Sequence, residues 1–247
     1  MAIIFWSEFP EQVDWRKANK EIDFETSIYI ACKNKEEFLK WKRKIKNRHI
    51  KAGAWPVLSK EDGYWFSGQT SKEGIDKLDD FKDILIKIDV EPRIYPGSYN
   101  YFKTKIWLLN WIITPGKNKK YLVEKINMLG KDNIVSGFFL PKFLRKGVGM
   151  EVNCRRNYIC YASLGHKLLK YYYRHMIKKG SKENFFAIGL TNHGIFGNEE
   201  TYKNKEEFAD DFELMKKLGA KNIAVYSLEG VLKKDWLDVI KNYISSF

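Results

Sequence analysis

A single (β/α)8 barrel is the fold this sequence predicts. Eight strand-like apolar runs recur along the chain, and helical patterns separate most of them. Alternating strand and helix implies a mainly parallel sheet, and eight such units in 247 residues match the usual size of the barrel. The main rival is an open, doubly wound sheet. It is disfavoured because the turn after the first strand, Trp6–Pro10, reads W-S-E-F-P and holds no glycine-rich dinucleotide loop.

The strands are expected at Ile3–Ser7, Ser27–Cys32, Ala52–Leu58, Ile84–Val90, Ile134–Leu140, Tyr158–Ser163, Phe185–Thr191 and Asn222–Leu228. Between the second and third, Lys35–Arg48 places Phe38, Trp41 and Ile45 at helical spacing. Lys205–Leu218 does the same with Phe208, Phe212, Met215 and Leu218. Both helices begin with K-N-K-E-E-F, at Lys33–Phe38 and Lys203–Phe208. Asn34 and Asn204 are the expected N-caps, with Glu37 and Glu207 at the N3 position. Shared capping chemistry explains the match, and a trace of βα-unit duplication is the alternative. After strand four, residues 93–131 are long enough for two helices, around Tyr101–Ile113 and Lys119–Leu129, split at Pro115-Gly116. They are expected to form a helical insertion within one domain spanning residues 1–247.

Composition sets the setting. Residues 1–10 are already strand-like and lack a basic leader, so no signal peptide is expected. The longest apolar run, Ile106–Ile113, is short and contains Asn110, so no membrane span is expected. Cys32, Cys154 and Cys160 lack zinc-ligand spacing, which fits a reduced, cytoplasmic setting.

The most informative stretch is Asp83–Pro92, D-I-L-I-K-I-D-V-E-P. Ile84, Ile86, Ile88 and Val90 point one way, and Leu85, Lys87, Asp89 and Glu91 the other, until Pro92 stops the strand. The Cα atoms of Asp89 and Glu91 are then roughly 6.6 Å apart on one face, at about 3.3 Å rise per residue. The β-branched phase must face the outer helices, so the charged phase faces the barrel axis. Catalytic residues of such barrels sit at the C-terminal ends of strands. The same phase test puts Ala187, Gly189, Thr191 and His193 on the axis side of strand seven. It groups Ile4, Trp6 and Glu8 on strand one, and places Glu229 after Ser227 at the end of strand eight. Each candidate has a plainer reading: helix caps for Glu8 and Glu229, a loop residue for His193, and a charge partner of Lys87 for Asp89.

Two carboxyl groups in one pocket suit glycoside cleavage, where one stays protonated for the leaving oxygen and the other stays charged. Lys87 is expected to hold Asp89 ionised, and the charge on Asp89 to disfavour ionisation of Glu91. Glu91 and Asp89 are thus the candidate catalytic pair, with Lys87 as structural partner. Glu8, His193 and Glu229 are candidate substrate contacts, together with Trp6, Trp55, Tyr64 and Trp65, whose flat rings can stack on sugar faces. No resident cofactor is expected.

The I-D-V-E-P segment resembles the D-x-E motif of family 25 glycoside hydrolases, the lysozyme-type barrels. It is also similar to the last part of the family 18 chitinase motif, D-x-x-D-x-D-x-E. The resemblance covers the strand-four segment and the general barrel pattern. It implies that Glu91 is the proton donor and Asp89 its electrostatic or substrate-positioning partner. This chain has Lys87 where the family 18 motif has an Asp, and Glu8 on strand one where the family 25 pattern has an Asp.

Rival readings use the same residues differently. A net charge of +13 would draw an anionic substrate. In a metal-dependent phosphodiesterase or sugar-phosphate enzyme, Glu8, Asp89, Glu91, His193 and Glu229 would bind one divalent ion, with Gly194, Gly197 and Gly230 in the phosphate loops. The glycerophosphodiesterase family needs a histidine near the end of strand one, and none stands there. A nucleic-acid-binding protein would use the run K-W-K-R-K-I-K-N-R, Lys40–Arg48, and Arg155-Arg156. The expected role of that run is plainer: Trp41 and Ile45 are a buried stripe and the cations a solvated face. A barrel that binds or scaffolds without chemistry is the last alternative.

Overall fold

The computed structural model describes residues 1–91, 115–137, 151–161, 174–178, 180, 184–197 and 199–246. Each expected strand is present: β1 (Ala2–Ser7), β2 (Thr26–Cys32), β3 (Ile50–Pro56), β4 (Lys87–Asp89), β5 (Ile134–Gly137), β6 (Arg155–Ile159), β7 (Phe185–Gly189) and β8 (Asn222–Tyr226). They are parallel and follow the order β3-β2-β1-β8-β7-β6-β5-β4. A parallel bridge from Ala54, in β3, to Ile86, just before β4, joins the two ends of that order. The fold is therefore of the (β/α)8 class, as the alternation of periods predicts.

The helices are α1 (Trp15–Glu21), α2 (Lys35–Lys42), α3 (Lys72–Asp76), α4 (Lys119–Met128), α5 (Lys205–Lys217), α6 (Leu228–Lys233) and α7 (Leu237–Ser245), with a 3-10 turn at Lys77–Phe81. Most of the expected 93–131 insertion, including the helix expected at Tyr101–Ile113, lies outside the described residues, as do 138–140 and 162–163 of the expected strands. Its second expected helix is α4. Several boundaries differ from expectation: β3 begins at Ile50 and ends at Pro56, β4 spans only Lys87–Asp89, β6 starts at Arg155 and ends at Ile159, and α2 stops at Lys42, not Arg48. The cause of the early end of α2 is distant in sequence. Asn19 Oδ1 accepts the backbone N–H groups of Lys46 and Asn47 at 2.8 and 3.2 Å, and Asn19 Nδ2 donates to Lys44 O at 2.9 Å. These bonds hold residues 44–47 in turns.

The chain forms two compact units. The first comprises Met1–Ala31, Leu39–Gly53 and Asn157–Phe247. Here β1 lies between β2 and β8, with Ile3 opposite Thr26 and Ile223. Phe186, Ile188, Ile223 and Val225, the apolar phase of β7 and β8, are fully buried. α5 packs on α7 through Phe212 and Tyr243, whose ring centroids are 4.8 Å apart. Phe208 stacks on Trp236 at 5.6 Å. Burying one such ring contributes about 1.5–3 kcal/mol.

The second unit comprises Cys32–Phe38 and Ala54–Arg156. Its β4 pairs with β5, placing Asp89 beside Ser136. Ile86, Ile88 and Val90 are fully buried, as their phase predicts, and so are Leu122 and Ile126 of α4. α4 packs on α3, and Lys125 reaches Asp76 and Asp79 at 2.7 and 2.8 Å.

The two K-N-K-E-E-F segments close with the same hydrogen bonds. Asn34 Oδ1 accepts from Glu37 N at 2.9 Å, and Glu37 Oε2 accepts from Lys33 N at 2.8 Å. Asn204 Oδ1 accepts from Glu207 N at 2.9 Å, and Glu207 Oε2 from Lys203 N at 2.9 Å. Each pair satisfies two N–H groups that a helix start leaves unpaired. Asn204→Ala is expected to cost about 1 kcal/mol, read as a shift in the urea midpoint. Asn204→Asp should hold the wild-type midpoint.

Cys32, Cys154 and Cys160 are all unbridged. No helix among the described residues is long and apolar enough to cross a membrane.

Candidate functional site

The second unit carries the charged face of β4. Lys87, Asp89 and Glu91 are only 0, 3 and 7% exposed, so three ionisable groups in a row are withdrawn from water at the end of a barrel strand. The Lys87 ammonium lies 2.7 Å from the Asp89 carboxylate. It also sits 3.4 Å above the centroid of the Trp55 ring, from β3. Both contacts favour the cation where water cannot. Burial pushes the Asp89 carboxyl up from its ordinary range, and the Lys87 charge works against that rise, aided by Ser136.

The main chain around Glu91 is fixed on two sides. Val90 N donates to Ser136 O at 2.8 Å. Phe66 N donates to Asp89 O at 3.1 Å, and Glu91 N to Phe66 O at 3.0 Å. The segment 64–66 thus runs beside the end of β4 as a short extra rung. It arrives there through Gly63 and Tyr64, both at positive φ (98° and 65°), a region that favours glycine and is uncommon for tyrosine. Tyr64 and Trp65 meet edge to face at 5.6 Å. Trp55 is buried, with Lys87 over its ring, whereas Trp65 is partly exposed.

The first unit carries a separate constellation at the ends of β1 and β8. Glu8, predicted to follow the Ile4–Trp6 face, is buried, and its Oε2 accepts from the Tyr226 hydroxyl. Burial and the Glu8 charge hold the Tyr226 phenol well above its ordinary range, so it remains a donor. Trp6 meets Tyr226 edge-on at 5.9 Å, and the Tyr161 ring lies 5.7 Å from Tyr226. Glu229, in the first turn of α6, turns back to the β1 end. Its Oε1 accepts from Glu8 N at 3.0 Å and Phe9 N at 3.1 Å.

The loop after β7 completes this group, though not through His193. That side chain is exposed, with Nδ1 2.8 Å from Glu199 O. The next residue, Gly194, lies against the constellation. A Cβ there would stand 2.6 Å from Tyr226 Oη, 2.9 Å from Glu199 Oε1 and 3.2 Å from Glu8 Oε2. Only glycine leaves room for those three oxygens. Glu199 is held by Gly194 N at 3.2 Å and Phe196 N at 3.0 Å. Tyr226 and Glu199 are not among the residues the sequence singles out. For Tyr226 a signal exists: Ile223 and Val225 fill the helix-facing phase, which leaves Ala224 and Tyr226 on the other. Among the described residues, no three His, Cys, Asp or Glu side chains gather closely enough to hold a metal ion.

Burial raises the Glu229 carboxyl to about 6, against the pull of the Glu8 and Phe9 N–H groups. The folded state therefore holds this proton more tightly than the unfolded chain, whose value is near 4.5. The resulting stability is full below about 4.5 and is lost as pH rises through about 6. The difference is worth about 2 kcal/mol, at 1.36 kcal/mol per unit. Glu229→Gln should remove that slope between pH 4 and 7, measured as urea midpoints. Parallel profiles for variant and wild type would contradict it.

No family model matches the chain. No curated protein matches it. Solved structures do. The chain is similar to the glycoside hydrolase domain of PgaB (BpsB) from Bordetella bronchiseptica, at 9% identity and TM-score 0.61, covering 98% of each chain. It is similar to a family 18 chitinase from Crocus vernus, at 14% identity and TM-score 0.50, over 99% of this chain and 98% of that one. It is also similar to a xylose isomerase domain protein from Planctomyces limnophilus, at 7% identity and TM-score 0.53, over 100% of this chain and 96% of that one. At such identities the likeness is one of fold: the chain carries a (β/α)8 barrel whose structural neighbours include glycoside hydrolase barrels.

Proposed function

We propose that this barrel hydrolyses a glycosidic bond, with Glu91 as the proton donor and Asp89 as the charged partner beside it. One observation carries the reading. Lys87 and Asp89 share one face of β4 and Glu91 follows two residues beyond its end, all three buried, with the Lys87 cation locked onto Asp89 at 2.7 Å. A strand that served the core alone would gain by apolar side chains at these positions, because buried ion pairs seldom add net stability. The likeness in fold to glycoside hydrolase barrels supports the same chemistry.

In this reading each residue has a distinct task. Lys87, held over Trp55, keeps a positive charge next to Asp89. Asp89 stays anionic and steadies positive charge that develops on the sugar in the transition state. Glu91, one step nearer the strand end, gives its proton to the leaving oxygen. Trp65 offers a partly exposed ring for a sugar face. The substrate is a carbohydrate, and the net charge of +13 favours one that carries negative charge.

The test is release of reducing ends from chitin oligosaccharides and from a panel of neutral and acidic polysaccharides, with wild type and Glu91→Gln side by side. Turnover that the substitution removes supports the proposal. Turnover that persists in the variant, or no release from any member of the panel, would falsify it.

A further inference from the structure

We infer that the run Lys40–Arg48 is a docking surface for the phosphate backbone of a nucleic-acid duplex. This goes beyond the proposed hydrolysis and does not depend on it. The run contains six cations, Lys40, Lys42, Arg43, Lys44, Lys46 and Arg48, with no acidic residue among them. All six are exposed, and none forms an ion pair among the described residues. Some surface lysines elsewhere pair with carboxylates: Lys17 with Asp235, Lys77 with Asp62, Lys205 with Asp238, Lys241 with Asp23. Glu25 faces His49, next to the end of the run, at 2.7 Å, and Glu36 and Glu37 lie one helical turn before Lys40 on α2.

The second observation is order. A block of like charges repels itself and is usually disordered. This one is held in place by neutral side chains. Besides the three bonds of Asn19, Asn47 Nδ2 donates to Asn19 O at 3.1 Å and to Ile22 O at 2.5 Å. The backbone continues the turns, with Arg43 N to Leu39 O at 3.2 Å and Lys44 N to Trp41 O at 2.9 Å. The like charges are therefore fixed in mutual repulsion, a cost that an external anion relieves.

The chemistry selects the partner. Trp41 is buried, and Lys40 and Lys44 stand over its ring, each 4.9 Å from the centroid. No ring is offered for base or sugar stacking, which single strands and polysaccharides use. No large apolar side chain of the run is exposed, so nothing inserts into a bilayer. What remains is dense positive charge. The run is the end of α2 followed by turns, and it brings six cations together within nine residues. A duplex presents one phosphate per about 1.7 Å of axis, both strands counted, a charge density that such a block of cations complements. Arg43 and Arg48 add bidentate phosphate contacts.

The experiment is fluorescence anisotropy with a labelled 20-base-pair duplex of arbitrary sequence, using the full chain. Binding should fall about 10²–10³-fold between 50 and 200 mM salt, as four to six phosphate contacts require. Replacing Lys42, Arg43, Lys46 and Arg48 together by Gln should abolish it without moving the melting temperature, since Lys40 and Lys44 still cover Trp41. Replacing Lys60, Lys217, Lys221 and Lys233 by Gln removes the same charge elsewhere and should leave most of the binding. Equal loss in both variants would show a net-charge effect and overturn the assignment. Tighter binding at equal salt to a polyuronate or to phosphatidylserine vesicles would also overturn it, as would no binding at 50 mM.

Discussion

Lys87→Met is expected to destabilise the protein by about 3–5 kcal/mol, because it leaves a buried carboxylate without its cation. The size follows from the surroundings. Lys87 and Asp89 are both shut off from solvent, and the ammonium touches both the carboxylate and the Trp55 ring. Methionine fills similar volume but supplies no charge. Burial then acts on Asp89 with only the hydrogen bonds of Ser136 and Trp55 against it, and raises its carboxyl further. A carboxyl raised in the folded state gives its stability at low pH and loses it as pH rises, so the deficit should be larger at pH 8 than at pH 4. Adding Asp89→Asn to Lys87→Met removes the stranded charge and should restore most of the loss. A neutral Lys87→Met, or a double variant no better than the single, would show that the pair is incidental.

Glu91→Gln is expected to act on the other axis. General acid catalysis supplies about 10²–10⁴-fold, and an amide cannot donate that proton, so kcat/KM should fall by that factor while the melting temperature stays near wild type. The two variants separate the roles of residues four apart on one strand. On the proposed reading, Lys87 governs stability and Glu91 governs turnover. Reversal of that pattern, with Glu91→Gln unfolded and Lys87→Met fully stable, would make Glu91 a structural group. The measurements are kcat/KM on the responsive substrate and a thermal melt at matched pH.

Much of this is legible in the sequence alone. Period-two runs are local, so β1 to β8 could be read one by one. Lys87 and Asp89 are two residues apart on a strand, a spacing that forces them onto one face. The capping bonds of Asn34 and Asn204 span three residues and were equally readable. What was not legible depends on distant parts of the chain. Asn19 ends α2 early by binding Lys46 and Asn47, and nothing inside Lys35–Arg48 announces that. The Trp55 ring over Lys87 joins two strands whose phases are each plain but whose alignment is not. Glu199 reaches the Glu8 and Tyr226 group from a loop without periodicity, and the three oxygens around Gly194 come from parts of the chain that no local pattern brings together.

The double hydrogen bond that Glu229 Oε1 makes to Glu8 N and Phe9 N sets a schedule for synthesis. Glu8 and Glu229 are 221 residues apart. At 5–20 residues per second, the ribosome delivers Glu229 roughly 10–45 s after Glu8. β8, the neighbour of β1, is equally late. Throughout that interval the open side of β1 and the two amides after it have no native partner. The first unit therefore closes only after translation has passed residue 229, and until then β1 keeps one edge without its native neighbour.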